Sequence, residues 1–384
     1  MTANLYEQSN HYHVMLSWKQ DGKRKQKSIT TGIPVGNNKR KAEAMKKKIL
    51  EEWEDKITSK FQDILFSEYL KQWLETIRHS IAETTYSSYK HTIEHQICPY
   101  FLERKIKLHD LKPHHIQAFY KWKMNASDVT GNTIHHYHAN IHKALKDAFR
   151  TELIKDNPAS RVTLPKKERF IADFYTVEEM RLLLEAVKGH KIETPILLSS
   201  WFGLRRGEAL GLRWQDVDYD TPKISIRGVI TDKGIDTHSK NVKYRSGAKT
   251  HSSIRSFPLP PEVAVYIKNL KQKQEENKIL LGNSYNKEWL DFICVDVDGS
   301  LIKPDYLTRT FPNVLKKHGL RKIRLHELRD SNASLLLDNG VDMKMLQLWL
   351  GHSNFKTTAD IYAHHRADSK QKLGSILSKE LMSI

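Results

Sequence analysis

The second half of the chain contains short motifs of arginine, lysine, histidine and tyrosine whose spacing could support chemistry on a phosphate ester. Arginine offers a fork of N–H donors that matches phosphate oxygens, and a tyrosine hydroxyl becomes a nucleophile once a base or nearby cations activate it. Each motif alone also fits an ordinary helix start or a surface pair. Only the whole set of motifs, in this order along the chain, is specific for one kind of active site. The motifs are Gly203-Leu-Arg-Arg-Gly-Glu, Lys249-Thr250, His326-Glu-Leu-Arg-Asp-Ser, Leu350-Gly-His-Ser and Thr357-Thr-Ala-Asp-Ile-Tyr.

Several other kinds of active site lack their motifs in this sequence. Gly247-Ala-Lys-Thr has no glycine before its lysine, so a phosphate-binding loop for ATP is not expected. Gly-x-Ser-x-Gly, His-Glu-x-x-His and a compact carboxylate cluster for magnesium are absent as well. Cys98 and Cys294 are too few for a disulfide framework or a cysteine-rich zinc site. We therefore expect neither a cofactor nor a metal.

The 384-residue chain is basic along its whole length. Its 63 Lys and Arg outnumber its 45 Asp and Glu, which gives a net charge of +18. Residues 1–57 carry +5, residues 58–165 carry +4 and residues 166–384 carry +9. A basic charge spread over all three segments favours a chain that wraps around a polyanion. A single basic tail would instead indicate nonspecific binding. A generically basic protein is the alternative.

Taken together and in this order, the motifs resemble those of the tyrosine recombinase family, in particular the integrases of phages and integrative conjugative elements. The resemblance covers a catalytic domain from about residue 170 onward, and more loosely a core-binding and an arm-binding domain ahead of it. It implies a site-specific recombinase that integrates or excises a mobile element or prophage through a covalent 3′-phosphotyrosine, without ATP. Asp330 departs from the family, which usually has a histidine or a basic residue there. The implied catalytic residues are Arg205, Lys249, His326, Arg329, His352 and Tyr362.

The chemistry explains why such side chains are needed. Attack of a tyrosine oxygen on a phosphodiester builds negative charge on the nonbridging oxygens, which Arg205 and Arg329 can meet with N–H forks and His352 with a further donor. We expect His326 to take the tyrosine proton and Lys249 to protonate the leaving 5′-oxygen. Glu208, one turn after Arg205, either orients an arginine or histidine or is an exposed helix carboxylate.

Two other functions share parts of this pattern. A type IB topoisomerase-like enzyme relaxes DNA by the same covalent step. A DNA-binding regulator could have the same residues without using them for catalysis. For the recombinase, the expected partners are double-stranded DNA at core and arm sites and three further copies in a tetramer. An excisionase or a host DNA-bending protein is an optional further partner. The N-terminus has no signal-peptide pattern and no apolar run is long enough to span a membrane, so we expect a bacterial cytoplasmic protein that acts at the nucleoid.

The predicted fold class is mostly α-helical with small β-sheets (α+β) in a multidomain tyrosine recombinase architecture. Residues 1–57, the expected arm-binding domain, alternate apolar and polar side chains from Tyr12 to Trp18, where a strand is predicted. Asp21-Gly22 predicts a hairpin turn and the spacing over 42–53 a helix. A basic sheet of this size can enter a DNA major groove, and a solvated edge sheet guarded by lysines is the alternative.

Residues 58–165, the expected core-binding domain, are predicted to be all-helical. The last helix carries several histidines, of which His138 and His142 have the i, i+4 spacing of a metal pair. Because no carboxylate or cysteine completes a ligand set, we expect these histidines and Asn140 to face a phosphate backbone or base edges. The predicted helices are Phe66–Thr76, Thr84–Pro99, Pro113–Asn125 and Asn132–Leu153.

Residues 166–384 are predicted to form the mainly helical catalytic domain and its tail. Thr176 and Glu179 have the spacing of a capping box. After Tyr362, one apolar stripe follows a polar stretch, and it either packs on its own domain or, as the resemblance favours, docks on a neighbouring protomer. The further predicted elements are a helix from Pro195 to Gly203 and strands near 224–230 and 253–259. The stripe consists of Leu373, Ile376, Leu377 and Leu381.

Overall fold

The computed structural model divides the chain into two compact units, residues 1–169 and 170–384. No helix in the described part of the chain is long and apolar enough to cross a membrane. The described residues are 2–20, 23–62, 64–127, 129–168, 173–232, 242–247, 255–356, 358–359 and 378, with the backbone alone at 19–20, 23 and 54–62.

The first unit begins with an antiparallel sheet of three strands covered by one long helix. The predicted alternation is confirmed, because Val14 and Leu16 are fully buried and pack with Ile49 of the helix. The predicted turn residues Asp21-Gly22 lie outside the described residues, while the strands on either side pair from Gln20↔Lys23 onward. The elements are β1 (Thr2–Gln8), β2 (His11–Gln20), β3 (Lys23–Pro34) and α1 (Lys39–Gln62).

A bundle of helices makes up the rest of this unit. One of them continues to Glu103, beyond the predicted end at Pro99, through a wide π-helical turn over Thr92–Ile97. In a regular α-helix the proline ring would clash with the carbonyl one turn back. The widened turn ahead of it, with the Cys98 N–H bonded to the Ile93 carbonyl, accommodates the ring. The helices are α2 (Phe66–Ile77), α3 (Glu83–His91), α4 (Cys98–Glu103), α5 (Pro113–Ser127) and α6 (Gly131–Arg150).

Three polar side chains of α6 make hydrogen bonds within this unit, and the burial of Asn140 corrects the expectation that it faces DNA. His138 Nδ1 lies 2.9 Å from the Tyr120 hydroxyl, and His142 Nε2 lies 3.2 Å from Ser160 Oγ. Asn140 is buried and donates to a carbonyl of its own helix. Within the described ranges, no three His, Cys, Asp or Glu side chains cluster as metal ligands.

The second unit surrounds its core with seven helices of the described chain and two small antiparallel sheets. The predicted fold class, mostly helical with small sheets, is confirmed. The capping box of Thr176 and Glu179 is confirmed as well, since each side chain bonds the other's backbone N–H. The helices are α7 (Val177–Val187), α8 (Glu193–Phe202), α9 (Arg206–Leu210), α10 (Pro261–Leu281), α11 (Pro304–Lys317), α12 (Glu327–Asp338) and α13 (Met343–Leu350).

The predicted strand at 224–230 is two strands in different sheets. The break falls at Arg227, before Gly228, where the Tyr244 ring lies so close that it leaves no room for a Cβ. Glycine inside a strand pattern often marks such a close approach. The strands are β4 (Val217–Asp218), β5 (Lys223–Ile226), β6 (Gly228–Asp232), β7 (Val242–Ser246) and β8 (Arg255–Pro258), paired as β4-β5-β8 and β6-β7.

Candidate active site

Arg205 stands in the sharp turn that joins α8 to α9. The first helix ends at Gly203, whose φ of 60° lies in the left-handed region that glycine adopts without steric cost. The backbone N–H of Arg205 donates to Glu208 Oε2 at 2.9 Å, and its Nη1 donates to Glu208 Oε1 at 2.8 Å. The Arg205 side chain is still 39% exposed. The turn therefore fixes the arginine at its base and leaves its other donors available.

Glu208 is buried between two arginines, which rules out the exposed carboxylate. Arg255, the first residue of β8, donates from Nη2 to Oε2 at 2.8 Å and from Nη1 to Oε1 at 3.3 Å. Burial by itself raises the pKa of the Glu208 carboxyl. The hydrogen bonds and charges of Arg255 and Arg205 outweigh it and lower that pKa from 4.5 to about 2, so Glu208 is ionised at neutral pH.

Arg329 lies in the first turn of α12 and is only 1% exposed. Its Nη1 donates to the Gly203 carbonyl at 2.5 Å and its Nη2 to the Leu350 carbonyl. Burial, and then the charge of Arg205, lower the pKa of Arg329, which remains a cation at neutral pH. The guanidinium thus ties the Arg205 turn to the end of α13.

Asn332, one turn further along α12, reinforces the same junction. Its Nδ2 donates to the carbonyls of Ser200 and Trp201 at 2.9 and 3.1 Å. Its Oδ1 accepts from Trp349 Nε1 at 3.2 Å. One amide therefore holds the end of α8 and a side chain of α13 together, which sets the separation of the motifs that follow these helices.

His352 follows α13 after Gly351, whose φ of 66° ends the helix in the left-handed conformation. Its Nδ1 lies 3.0 Å from the hydroxyl of Thr358, which is fully buried. Burial, and then the charges of Arg329 and Arg205, lower the pKa of His352 from 6.5 to about 3. The ring is neutral at physiological pH and keeps a single N–H to donate.

His326 immediately precedes α12, and Asp330 follows it by four residues, about one helical turn. Loss of water around the ring lowers the pKa of His326, Asp330 opposes this shift, and Arg329 and Arg205 add to it. The pKa of Asp330 is raised by burial, against the pull of His326 and Arg329. The lowered pKa favours neutral His326, the form that can accept a proton.

These groups act on one another electrostatically although they come from separate motifs. Arg329 bonds the carbonyls that lie two residues before Arg205 and two residues before His352, and the charges of Arg329, Arg205, His326 and Arg255 all lower the pKa of His352. Three arginines, of which one is balanced by the Glu208 carboxylate, and two histidines make a site that favours an anion. Fixed N–H donors of this kind stabilise a phosphate whose charge is increasing.

Two predicted catalytic residues fall in segments outside the described residues. Lys249 lies within 248–254 and Tyr362 within 360–377. The apolar stripe of the tail also lies outside the described residues. The contacts of Arg329 bring together four of the six predicted residues: Arg205, His326, Arg329 and His352.

Arg255 is the site residue that the sequence analysis missed. A signal for it was present, because Arg255, Phe257 and Leu259 occupy alternate positions of a predicted strand, and Phe257 and Leu259 mark its buried face. An arginine in register with a buried face needs a partner. That partner, Glu208, is 47 residues away along the chain.

Two family models match this chain. The model described as "Phage integrase family" matches residues 174–369, and the model described as "Phage integrase, N-terminal SAM-like domain" matches residues 65–124. A tyrosine recombinase XerC-like protein of Caldanaerobacter subterraneus subsp. tengcongensis is 28% identical, covering 89% of each chain. The ICEBs1 integrase of Bacillus subtilis is 24% identical, covering 90% of this chain and 91% of the relative.

Solved structures share the fold. The Tn1549 transposon integrase in complex with a circular intermediate DNA has a TM-score of 0.62 at 17% identity, and the match covers 79% of this chain and 98% of that one. A lambda integrase dimer bound to a core site has a TM-score of 0.53 at 16% identity, covering 93% and 94%. At these identities the likeness concerns the fold.

Proposed function

Because the chain belongs to the phage integrase family, it is a site-specific recombinase of mobile elements, and we propose that it cuts and rejoins DNA through a covalent bond between Tyr362 and a 3′-phosphate. The observation that carries this proposal is that buried Arg329 bonds the carbonyl of Gly203, two residues before Arg205, and the carbonyl of Leu350, two residues before His352. Topoisomerase-like relaxation and an idle regulator are not favoured by these findings.

The arginines and His352 act on the phosphate itself. Arg205 keeps exposed donors on a fixed base, and Arg329 has further N–H groups besides the two that bond the carbonyls. His352 supplies an uncharged N–H. Donors fixed in advance stabilise a five-coordinate phosphate without reorganisation, each by about 3 kcal/mol.

Proton transfer falls to His326 and Lys249. A tyrosine with a pKa of about 10 is a weak nucleophile until a base accepts its proton, and the lowered pKa of His326 suits this role. The leaving 5′-oxygen needs a proton, which we assign to Lys249. The phosphotyrosine stores the energy of the broken phosphodiester, so religation needs no ATP.

The remaining parts of the chain are proposed to hold the DNA. We assign residues 1–57 to arm sites, residues 58–165 to the core site and residues 166–384 to catalysis. The lambda integrase was solved as a dimer on a core site and as a tetramer on a Holliday junction. By analogy we propose that this chain forms a tetramer on double-stranded DNA in the bacterial cytoplasm, at the nucleoid, with an excisionase or a host DNA-bending protein as optional partners.

Replacing the nucleophile tests this function. Tyr362→Phe removes one hydroxyl and none of the cations that bind phosphate, so covalent attachment is expected to disappear while DNA binding stays near wild type. A denaturing gel with a nicked core-site substrate measures the adduct, and a shift assay measures binding. An adduct that survives in Tyr362→Phe would assign the nucleophile elsewhere.

A further inference from the structure

We propose that Arg255 is a positioning residue of the cleavage site, which holds the buried carboxylate of Glu208 and through it orients Arg205. The inference rests on the proposed function, because orienting Arg205 matters only if Arg205 binds the reacting phosphate. Arg255 lies on β8, outside the motifs that carry the family resemblance. Its role follows from its contacts alone.

The contact between Arg255 and Glu208 is a buried fork. The side chains are 7% and 4% exposed, and both terminal nitrogens of Arg255 reach the carboxylate, at 2.8 and 3.3 Å. Both hydrogen bonds that the structure describes for this guanidinium thus end on Glu208. Paired donation of this kind fixes the orientation of a carboxylate as well as its charge.

The other side of the same carboxylate holds Arg205. Glu208 Oε1 accepts from Arg205 Nη1 and Oε2 accepts from the Arg205 backbone N–H. The carboxylate therefore receives four donors, which is about its full capacity. A rotation of Glu208 would move both the backbone and the guanidinium of Arg205.

Charge gives Arg255 a second effect on Arg205. Two arginines share one carboxylate, so the trio keeps a net positive charge, and the exposed member of the trio is Arg205.

The competing explanation is that Arg255 only pins β8 to α9. Buried ion pairs contribute little net stability compared with apolar pairs of the same size, so stability alone explains the pair poorly. The two explanations also differ in pH dependence. With Arg255 present, Glu208 stays ionised throughout the assay range, because its pKa is about 2.

Replacing Arg255 by an apolar side chain removes the largest influence that keeps Glu208 ionised, and burial then raises the carboxyl pKa. As the pH falls, Glu208 takes up a proton and releases Arg205, so the cleavage rate of the variant decreases at acid pH. The wild-type pH profile lacks this decrease, which we call the acid limb. The other charged groups that face this carboxylate are Arg205 and Arg329. Arg255 also lowers the pKa of His352, but less than burial, Arg329, Arg205 and His326 do, so that ring is expected to stay neutral from pH 5 to 8 in Arg255→Met as well.

The experiment measures the single-turnover rate of adduct formation on a nicked substrate at saturating DNA, from pH 5 to 8, in the full chain. Arg255→Met is expected to be at least about tenfold slower at pH 7, with DNA affinity within about twofold, and to slow further as the pH falls. Arg255→Lys keeps one charge and is expected to recover part of the rate and lose the acid limb. A profile for Arg255→Met that runs parallel to wild type would overturn the proposal.

A matched control comes from the same unit. Arg321 forms a fork to Glu179 with two nitrogens at 2.8 Å, and this pair is more exposed than the Arg255–Glu208 pair, at 38% and 27%. Arg321→Met is expected to leave the pH profile of cleavage unchanged. An acid limb in this variant as well would mean that general destabilisation causes it.

Glu208→Gln keeps the inference testable if Arg255→Met fails to fold. It is uncharged at every pH, so a slow rate without a new acid limb is expected. A wild-type rate for Glu208→Gln would overturn the proposal. Failure of the proposed function is distinguishable, because then wild type itself would form no adduct at Tyr362.

Discussion

Replacing Gly203 by alanine should damage both the stability and the chemistry of the catalytic unit. Gly203 has a φ of +60°, and a Cβ on it would lie 2.9 Å from both Asn332 Oδ1 and Leu350 Cδ2. Its carbonyl also accepts the hydrogen bond from Arg329 Nη1. The added methyl group therefore displaces Asn332 or Leu350 and disturbs the contacts that join α8, α12 and α13.

Gly189 offers a matched control. It lies just after α7 with a φ of +72°, and a Cβ on it would meet no other atom within 4 Å. Alanine in the left-handed region costs about 1–2 kcal/mol at either site. Gly203→Ala adds about 1–3 kcal/mol for forcing packed neighbours apart. The difference between the stability losses of Gly203→Ala and Gly189→Ala measures the cost of the close contact with Asn332 and Leu350.

Hydrogen exchange of α7 and α8 amides in increasing urea reports the stability of the unit that carries both glycines. Adduct formation on a nicked substrate reports the chemistry. Because a displacement of about 1 Å in an active site can cost roughly 100-fold in rate, Gly203→Ala is expected to be at least about tenfold slower than Gly189→Ala. Equal stability losses, or a wild-type rate for Gly203→Ala, would refute the reasoning.

Three further predictions concern the proton donor, the pH dependence and the first domain. Lys249→Ala should cleave slowly but be largely rescued by sulfur at the bridging 5′ position, which leaves without a proton, whereas Arg205→Ala should not be; equal failure of both would remove the general-acid role. His352 is neutral when folded, with a pKa of about 3, and ordinary when unfolded, so the unfolded chain binds more protons between those values. Its contribution to stability is complete above about pH 6.5 and is lost as the pH falls, by at most about 1.4 kcal/mol per pH unit. Because the pKa of His326 is lowered as well, urea unfolding at pH 7, 6 and 5 should show a smaller loss of stability in His352→Gln than in wild type. Deleting residues 1–57 should weaken arm-site binding and its salt dependence while core cleavage persists, and loss of core cleavage would make the segment part of the catalytic fold.

Local patterns in the sequence were sufficient for the fold class, most helices and the motifs of the site. Apolar spacing depends on the period of a helix or strand, so the helix from Phe66 and the buried face of β2 could be predicted from neighbours alone. The capping box of Thr176 and Glu179 spans three residues and needs no tertiary partner.

Tertiary packing decided which partner each buried charge has. Glu208 was ambiguous in sequence because its partner, Arg255, is 47 residues away and meets it only when β8 lies beside α9. The same holds for Arg329, whose carbonyl partners belong to two other motifs, and for His138 and His142, which bond within their own unit. A sequence pattern shows which side chains share a face of one element. The partner across an interface depends on how elements pack, because a buried charge or donor is satisfied by whichever group the fold brings within hydrogen-bonding distance.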